Sequence, residues 1–146
     1  MYVINRTRGT YLGINIQVAD TLRARLIGLY RHPQLRFGDG IWLVPCNSIQ
    51  TIGMRYPIDV IFLDAGSRVV SVGENIRAGQ VILNVHGAHS ALEIPTGVIS
   101  SSETQVGDQV EFIREISQQV DGDGSRGRLG GRVSADISVD PGPHES

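Results

Sequence analysis

The sequence predicts a mainly β domain, a small barrel-like or sandwich fold with one short helix near residues 21–30. Three observations predict it. Leu12, Ile14, Ile16 and Val18 alternate with Gly13, Asn15, Gln17 and Ala19, the period of two expected of a half-buried strand. Pro57 precedes Ile58-Asp59-Val60-Ile61-Phe62-Leu63, a β-branched and aromatic run and the strongest strand signal in the chain. Short apolar runs separated by turn chemistry then recur as far as Ile113, the pattern of an all-β domain.

The elements follow in order. After the alternating run, Asp20 or Thr21 can cap a helix whose apolar stripe is Leu22, Leu26 and Leu29. Pro33 stops it and restricts His32. Gly38-Asp39-Gly40 reads as a turn, Ile41 to Val44 as a short strand carrying the only tryptophan, and Pro45-Cys46-Asn47-Ser48 as a break. Ile49 to Ile52 is a further strand candidate, ended by Gly53. Asp64-Ala65-Gly66-Ser67 turns the chain, and Arg68 to Val72 returns as the partner of a hairpin. Val81 to Val85, Ala91 to Ile94 and Val110 to Ile113 complete the strands. The alternating strand–helix rhythm of a doubly wound parallel sheet is absent.

Composition divides the chain. Residues 1–116 form the predicted domain, and 117–146 turn rich in Gly, Ser, Asp and Pro with isolated apolar residues. Such a stretch cannot bury enough surface to offset its chain entropy, so a disordered tail is expected. A net charge of −2, with 13 scattered Lys and Arg, lacks the basic stripe that nucleic-acid binding needs. No apolar run approaches the ~20 residues of a membrane span, and Met1-Tyr2-Val3-Ile4-Asn5-Arg6 opens without an apolar leader. The expectation is a cytoplasmic protein. Cys46 is the only cysteine, so no internal disulfide can form. Neither of the glycine-rich phosphate-binding patterns is present, and no cofactor is predicted.

The stretch Pro45-Cys46-Asn47-Ser48-Ile49-Gln50-Thr51-Ile52-Gly53-Met54-Arg55-Tyr56-Pro57-Ile58-Asp59-Val60-Ile61-Phe62-Leu63-Asp64 resembles the DUF192 family, also called UPF0127. Arg25-Leu26-Ile27-Gly28-Leu29, Gly40-Ile41-Trp42-Leu43, Leu92-Glu93-Ile94-Pro95-Thr96-Gly97 and Val106-Gly107-Asp108 resemble further elements of the family, in the same order. The resemblance implies a small β-rich, barrel-like fold and brings no established activity. Relatives with this form of the central segment usually carry His where this chain has Gln50. Many relatives also have an exported or membrane-anchored N-terminus.

The candidate site residues are Gln50, Thr51, Met54, Arg55, Asp59 and Glu93. Gln50, Thr51, Met54 and Arg55 lie between two strands, where connections in a barrel line the mouth. Arg55 suits an anionic group. The alternative is a turn whose Thr and Gln bond their own backbone, with Met54 as core filler. Asp59 shares a strand face with Ile61 and Leu63. A carboxylate in an apolar row must be paired, hydrogen-bonded or protonated. It is either a general base or ligand anchor, or the commoner ion pair or turn clamp, with Arg25 or Arg55 as partner. Glu93 points opposite to Leu92 and Ile94, which predicts a solvent-facing position. A curled sheet would instead bring it onto a concave face with Asp59, as a carboxylate pair.

His86 and His89 lie in a loop without further ligands, so they are expected at the surface and no metal is predicted. Cys46 needs a base to act as a nucleophile, and nothing in the sequence brings either histidine to it. Three functions remain open. The first is a non-catalytic accessory domain binding a small ligand or a protein. The second is a small hydrolase or lyase using Asp59 and Glu93. The third is a structural part of a cell-envelope assembly, suggested by the exported relatives.

Overall fold

A computed structural model of the chain describes residues 1–20 and 34–115. The chain divides into a unit Met1–Ile116 and a unit Ser117–Ser146. The helix expected near residues 21–30 and the expected tail both lie outside the described residues.

Ten strands and one helix are described: β1 (Tyr2–Asn5), β2 (Thr10–Gly13), β3 (Asn15–Ala19), β4 (Asp39–Leu43), β5 (Ile49–Gln50), β6 (Ile58–Leu63), β7 (Val69–Ile76), β8 (Val81–Ile82), β9 (Ser90–Pro95), α1 (Val98–Ser102) and β10 (Val110–Ile113). They form three sheets, ordered β10-β1-β2, β3-β4-β9-β6-β7 and β5-β8. The fold is mainly β, as the patterning predicts, and the sheets do not close into a barrel.

Apolar periodicity alone misreads the run Leu12 to Val18. It is two strands, not one. Leu12 and Ile16 are buried, while Ile14 and Val18 are exposed. At Ile14 the chain leaves one sheet for another, and the N–H groups of Ile14 and Asn15 both donate to the Gly38 carbonyl, at 2.8 and 3.0 Å. β3 then runs parallel to β4, with Ile16 opposite Gly40 and Ala19 opposite Leu43. A parallel pair requires a crossover connection rather than a tight hairpin turn.

The five-stranded sheet is a middle layer. All six residues of β6 are buried, as are five of the six in β9. One face carries Ile61, Leu63, Leu92 and Ile94, which pack against Val3, Leu12 and Val110 of the three-stranded sheet and against Val98 and Ile99 of α1. Trp42 joins this side and stacks on Phe112 at 4.0 Å between ring centroids. The other face carries Ile41, Leu43, Ile58, Val60, Phe62 and Ala91, covered by Ile49 and by half-buried Cys46, Met54, Tyr56 and Ile82. Each large aliphatic side chain buried this way contributes about 1.5–3 kcal/mol. Two covered faces explain why the central strands read as near-continuous apolar runs.

Helix α1 was not expected from the sequence. It has five residues and no side-chain cap of its own: Gly97, at φ 95°, occupies the N-cap. The missing acceptors come from Asp59. Its Oδ2 accepts the N–H groups of Gly97 and Ile99, both at 3.0 Å, and its Oδ1 accepts the N–H of Asn75 at 2.9 Å. Among the described residues no helix is long and apolar enough to cross a membrane.

Candidate functional site

The covering layer on the second face borders an open cavity of about 470 Å³. Its wall is the segment 45–50 together with Leu43, Ala88, His89 and Glu93. The segment begins at a cis Val44–Pro45 bond. It is held in place by backbone hydrogen bonds to the loop before β9. The Cys46 N–H donates to the His89 carbonyl at 2.8 Å, and the Val85 N–H to the Asn47 carbonyl at 3.0 Å. The Asn84 N–H donates to Ser48 Oγ at 2.9 Å. His89 is tied to the sheet in turn, its N–H donating to the Leu63 carbonyl at 2.7 Å. The cavity is thus lined by segments far apart in sequence.

Glu93 is the ionisable group built into the sheet at this wall. It stands opposite Ile41 of β4 and Val60 of β6, on the face of Ala91. It is 7% exposed. The expectation that it faces solvent is therefore wrong, although the alternation behind it is right. Glu93 does point away from Leu92 and Ile94, but the layer from Pro45 to Tyr56 covers that face as well. No hydrogen bond or ion pair reaches its carboxyl among the described residues. Burial pushes the Glu93 carboxyl up to about 7. Tyr56 lies near enough to feel it: burial raises the phenol, a backbone hydrogen bond with Leu35 lowers it, and the charge of Glu93 raises it.

The other predicted residues separate. Gln50 is exposed, lines the cavity and turns its Oε1 back to accept the Ile52 N–H at 2.9 Å. Thr51 is buried and clamps the turn before β8. Its Oγ1 donates to the Arg77 carbonyl at 2.6 Å and accepts the Gln80 N–H at 2.9 Å. Met54 packs into the second core cluster. Arg55 is exposed and outside the cavity lining. Asp59 is fully buried on the opposite face of the sheet, where three backbone N–H groups take the place of the arginine partner expected for it. Asp59 pairs with Ile94, and Val60 with Glu93, so the two carboxyls leave neighbouring strands on opposite sides. The sheet lies between them, and they form no carboxylate pair.

Sequence reasoning also missed a convergence. Cys46 and His89 share the wall that carries Glu93. The Cys46 thiol donates to the Ser48 carbonyl at 3.1 Å. Both His86 and His89 are exposed, and among the described residues no three His, Cys, Asp or Glu side chains gather as metal ligands. A signal was available in the short spacing from His89 to Glu93, but which face β9 buries depends on residues 45–57.

The family model and the sequence relatives agree on one family. The model of DUF192, an uncharacterised ACR family, matches residues 3–112. A UPF0127 protein of Thermococcus sibiricus is 30% identical over 115 residues, covering 75% of this chain and 73% of the relative. One from Pyrococcus furiosus is 29% identical over 120 residues, covering 78% of this chain and all of the relative. Among solved structures, a protein of unknown function from Novosphingobium aromaticivorans superposes with a TM-score of 0.68 at 21% identity, over 77% of this chain and 84% of that one. A Sinorhizobium meliloti protein proposed as a transcription regulator gives 0.65 at 18% identity, over 75% and 89%. These two share the fold. With the family's central segment forming one wall of the cavity and its Leu-Glu element supplying Glu93, the chain belongs to the DUF192 (UPF0127) family.

Proposed function

We propose that the protein is a non-catalytic binding domain that takes a small molecule into the cavity between residues 45–50, Ala88, His89 and Glu93. One observation carries the reading: a buried carboxyl, with no hydrogen bond or ion pair among the described residues, forms part of the wall of an open cavity of about 470 Å³. Cavities of about 300–1,000 Å³, mostly apolar with a few polar groups, are where small ligands bind. Leu43, Ile49 and Ala88 supply apolar wall, and Gln50, His89 and Glu93 supply polar groups.

In this reading Gln50 and Glu93 contact the ligand. Thr51 and Met54 support the wall from behind, Arg55 stays outside the cavity, and Asp59 serves the fold. The reading also assigns the protein to the cytoplasm, where the Cys46 thiol beside the cavity stays reduced.

The test is a fragment screen by amide chemical shifts, with Ala88→Trp to fill the cavity. Fragments should shift residues 46–50 and 88–93 in the wild type and not in the variant. A folded wild-type protein in which no fragment shifts those residues would sink the proposal.

A further inference from the structure

We infer that the cavity selects a small organic cation, an amine or related base, seated with its positive end on the carboxylate of Glu93. This rests on the binding reading above and names the chemical class it would take. Glu93 is more than nine-tenths buried and takes no hydrogen bond or ion pair among the described residues. A carboxylate in that setting has lost most of its water without gaining a hydrogen-bond or ion-pair partner among the described residues, and a cation supplies both charge and donors.

The surroundings point the same way. Among the described residues no Lys or Arg lines the cavity. The groups facing Glu93 from each packed element are few. β6 presents apolar Ile58, Val60 and Phe62. β4 presents Ile41 and Leu43, with Asp39 at its start engaged by the Asn15 side chain and the Arg36 N–H. The covering segments contribute Tyr56, Cys46 and His89. A site with one buried acid and no fixed positive charge favours cations and rejects anions, which would face an uncompensated carboxylate. Because burial raises Glu93 to about 7, the selectivity also switches with pH. The acid must be ionised to attract a cation, so the preference is present above that range and lost below it.

The experiment uses three probes of one size on the full chain: benzylamine, benzyl alcohol and benzoate, followed by amide shifts at about pH 8 and about pH 5.5 to bracket the ionisation of Glu93. At the higher pH benzylamine should bind at least about tenfold tighter than benzyl alcohol, the usual gain from a hydrogen bond to a charged group, with benzoate weakest. The gap should close to within about twofold at the lower pH. Glu93→Gln should close it at both, and the wild-type pH dependence decides the matter without the variant. If benzyl alcohol or benzoate matches benzylamine at the higher pH, or the amine preference survives at the lower pH or in the variant, the cation assignment is overturned and the cavity remains a binding site. If none of the three shifts residues 46–50 or 88–93, the binding reading falls and takes this inference with it.

Discussion

Replacing Glu93 by Gln should change how stability depends on pH, with a sign and window that follow from its burial. The side chain keeps its shape and loses its charge. In the folded protein the carboxyl ionises at about 7, against 4.5 without burial. Between those values the folded state holds a proton that the unfolded state has released. Stability therefore falls as pH rises through the interval, and levels off above about 7. At about 1.4 kcal/mol per pH unit, the full interval amounts to roughly 3 kcal/mol, an upper bound because burial relaxes when charge appears. Urea midpoints measured from about pH 4.5 to about pH 8 for wild type and Glu93→Gln give a difference curve. The two proteins differ in no other ionisable group, so the slope of that curve reports the removal of the Glu93 carboxyl. The Gln amide adds a constant desolvation cost, which shifts the curve without tilting it. Asp108 acts elsewhere. Burial raises its carboxyl, but hydrogen bonds from Asn5, Arg8 and the Gln105 N–H and the charge of Arg8 outweigh this and hold it below the usual range. Its contribution is lost only as pH falls through that lower range. Parallel wild-type and variant curves would refute the claim that Glu93 is buried without a partner.

Three further substitutions test the surrounding construction. Asp59→Ala strips the acceptor from the N–H groups of Asn75, Gly97 and Ile99 and should cost about 3 kcal/mol or more in denaturant, while leaving fragment binding on the Glu93 face unchanged. Thr51→Val keeps the shape but loses the bonds to Arg77 and Gln80. It should cost about 1–3 kcal/mol and speed hydrogen exchange at the Gln80 amide, and unchanged exchange there would contradict the clamp. Gly40→Ala places a Cβ 2.8 Å from the Glu93 carbonyl oxygen and 2.7 Å from Ile16 Cδ1; a backbone oxygen in mid-sheet cannot yield, so a loss of about 1–3 kcal/mol is expected in thermal or urea unfolding.

Much of the fold can be read from local pattern, because β6, β7 and β10 are specified by residues next to one another. Ile58 to Leu63 are bounded by Pro57 and by the Asp64 turn, whose Oδ1 accepts the Gly66 and Arg68 N–H groups at 2.9 and 2.8 Å. What is hard to read depends on distant residues. Helix α1 lacks a cap in its own sequence because its cap is a carboxylate 40 positions earlier. The run Leu12 to Val18 keeps a perfect alternation, yet the Gly38 carbonyl draws the chain into a second sheet at its midpoint. β1 is four residues without a turn dipeptide before it, too short for periodicity to detect. The candidate site obeys the same division. Gln50 and Glu93 are visible as polar residues at strand positions. That Cys46 and His89 meet them depends on the backbone bond joining residues 46 and 89.

The contrast between Asp59 and Glu93 separates structure from function more sharply than either residue does alone. Both are buried carboxyl residues on adjacent strands of one sheet, in a register that makes them near neighbours. Asp59 receives three backbone donors, and its removal would orphan all three, so the fold accounts for it completely. Glu93 receives none. An aliphatic residue of similar volume would fill its place in the second core cluster without the cost of a buried acid. No bond within the sheet requires a carboxyl there, whereas the proposed binding site would use one. An unpartnered acid at the wall of a cavity is what the proposed binding site would produce, since groups prepared for a ligand are strained or undersatisfied until it arrives. By that reasoning the sequence position to follow in this chain is the glutamate of the Leu92-Glu93 pair, and the aspartate in its strongest strand is the brace that holds the sheet and α1 in register behind it.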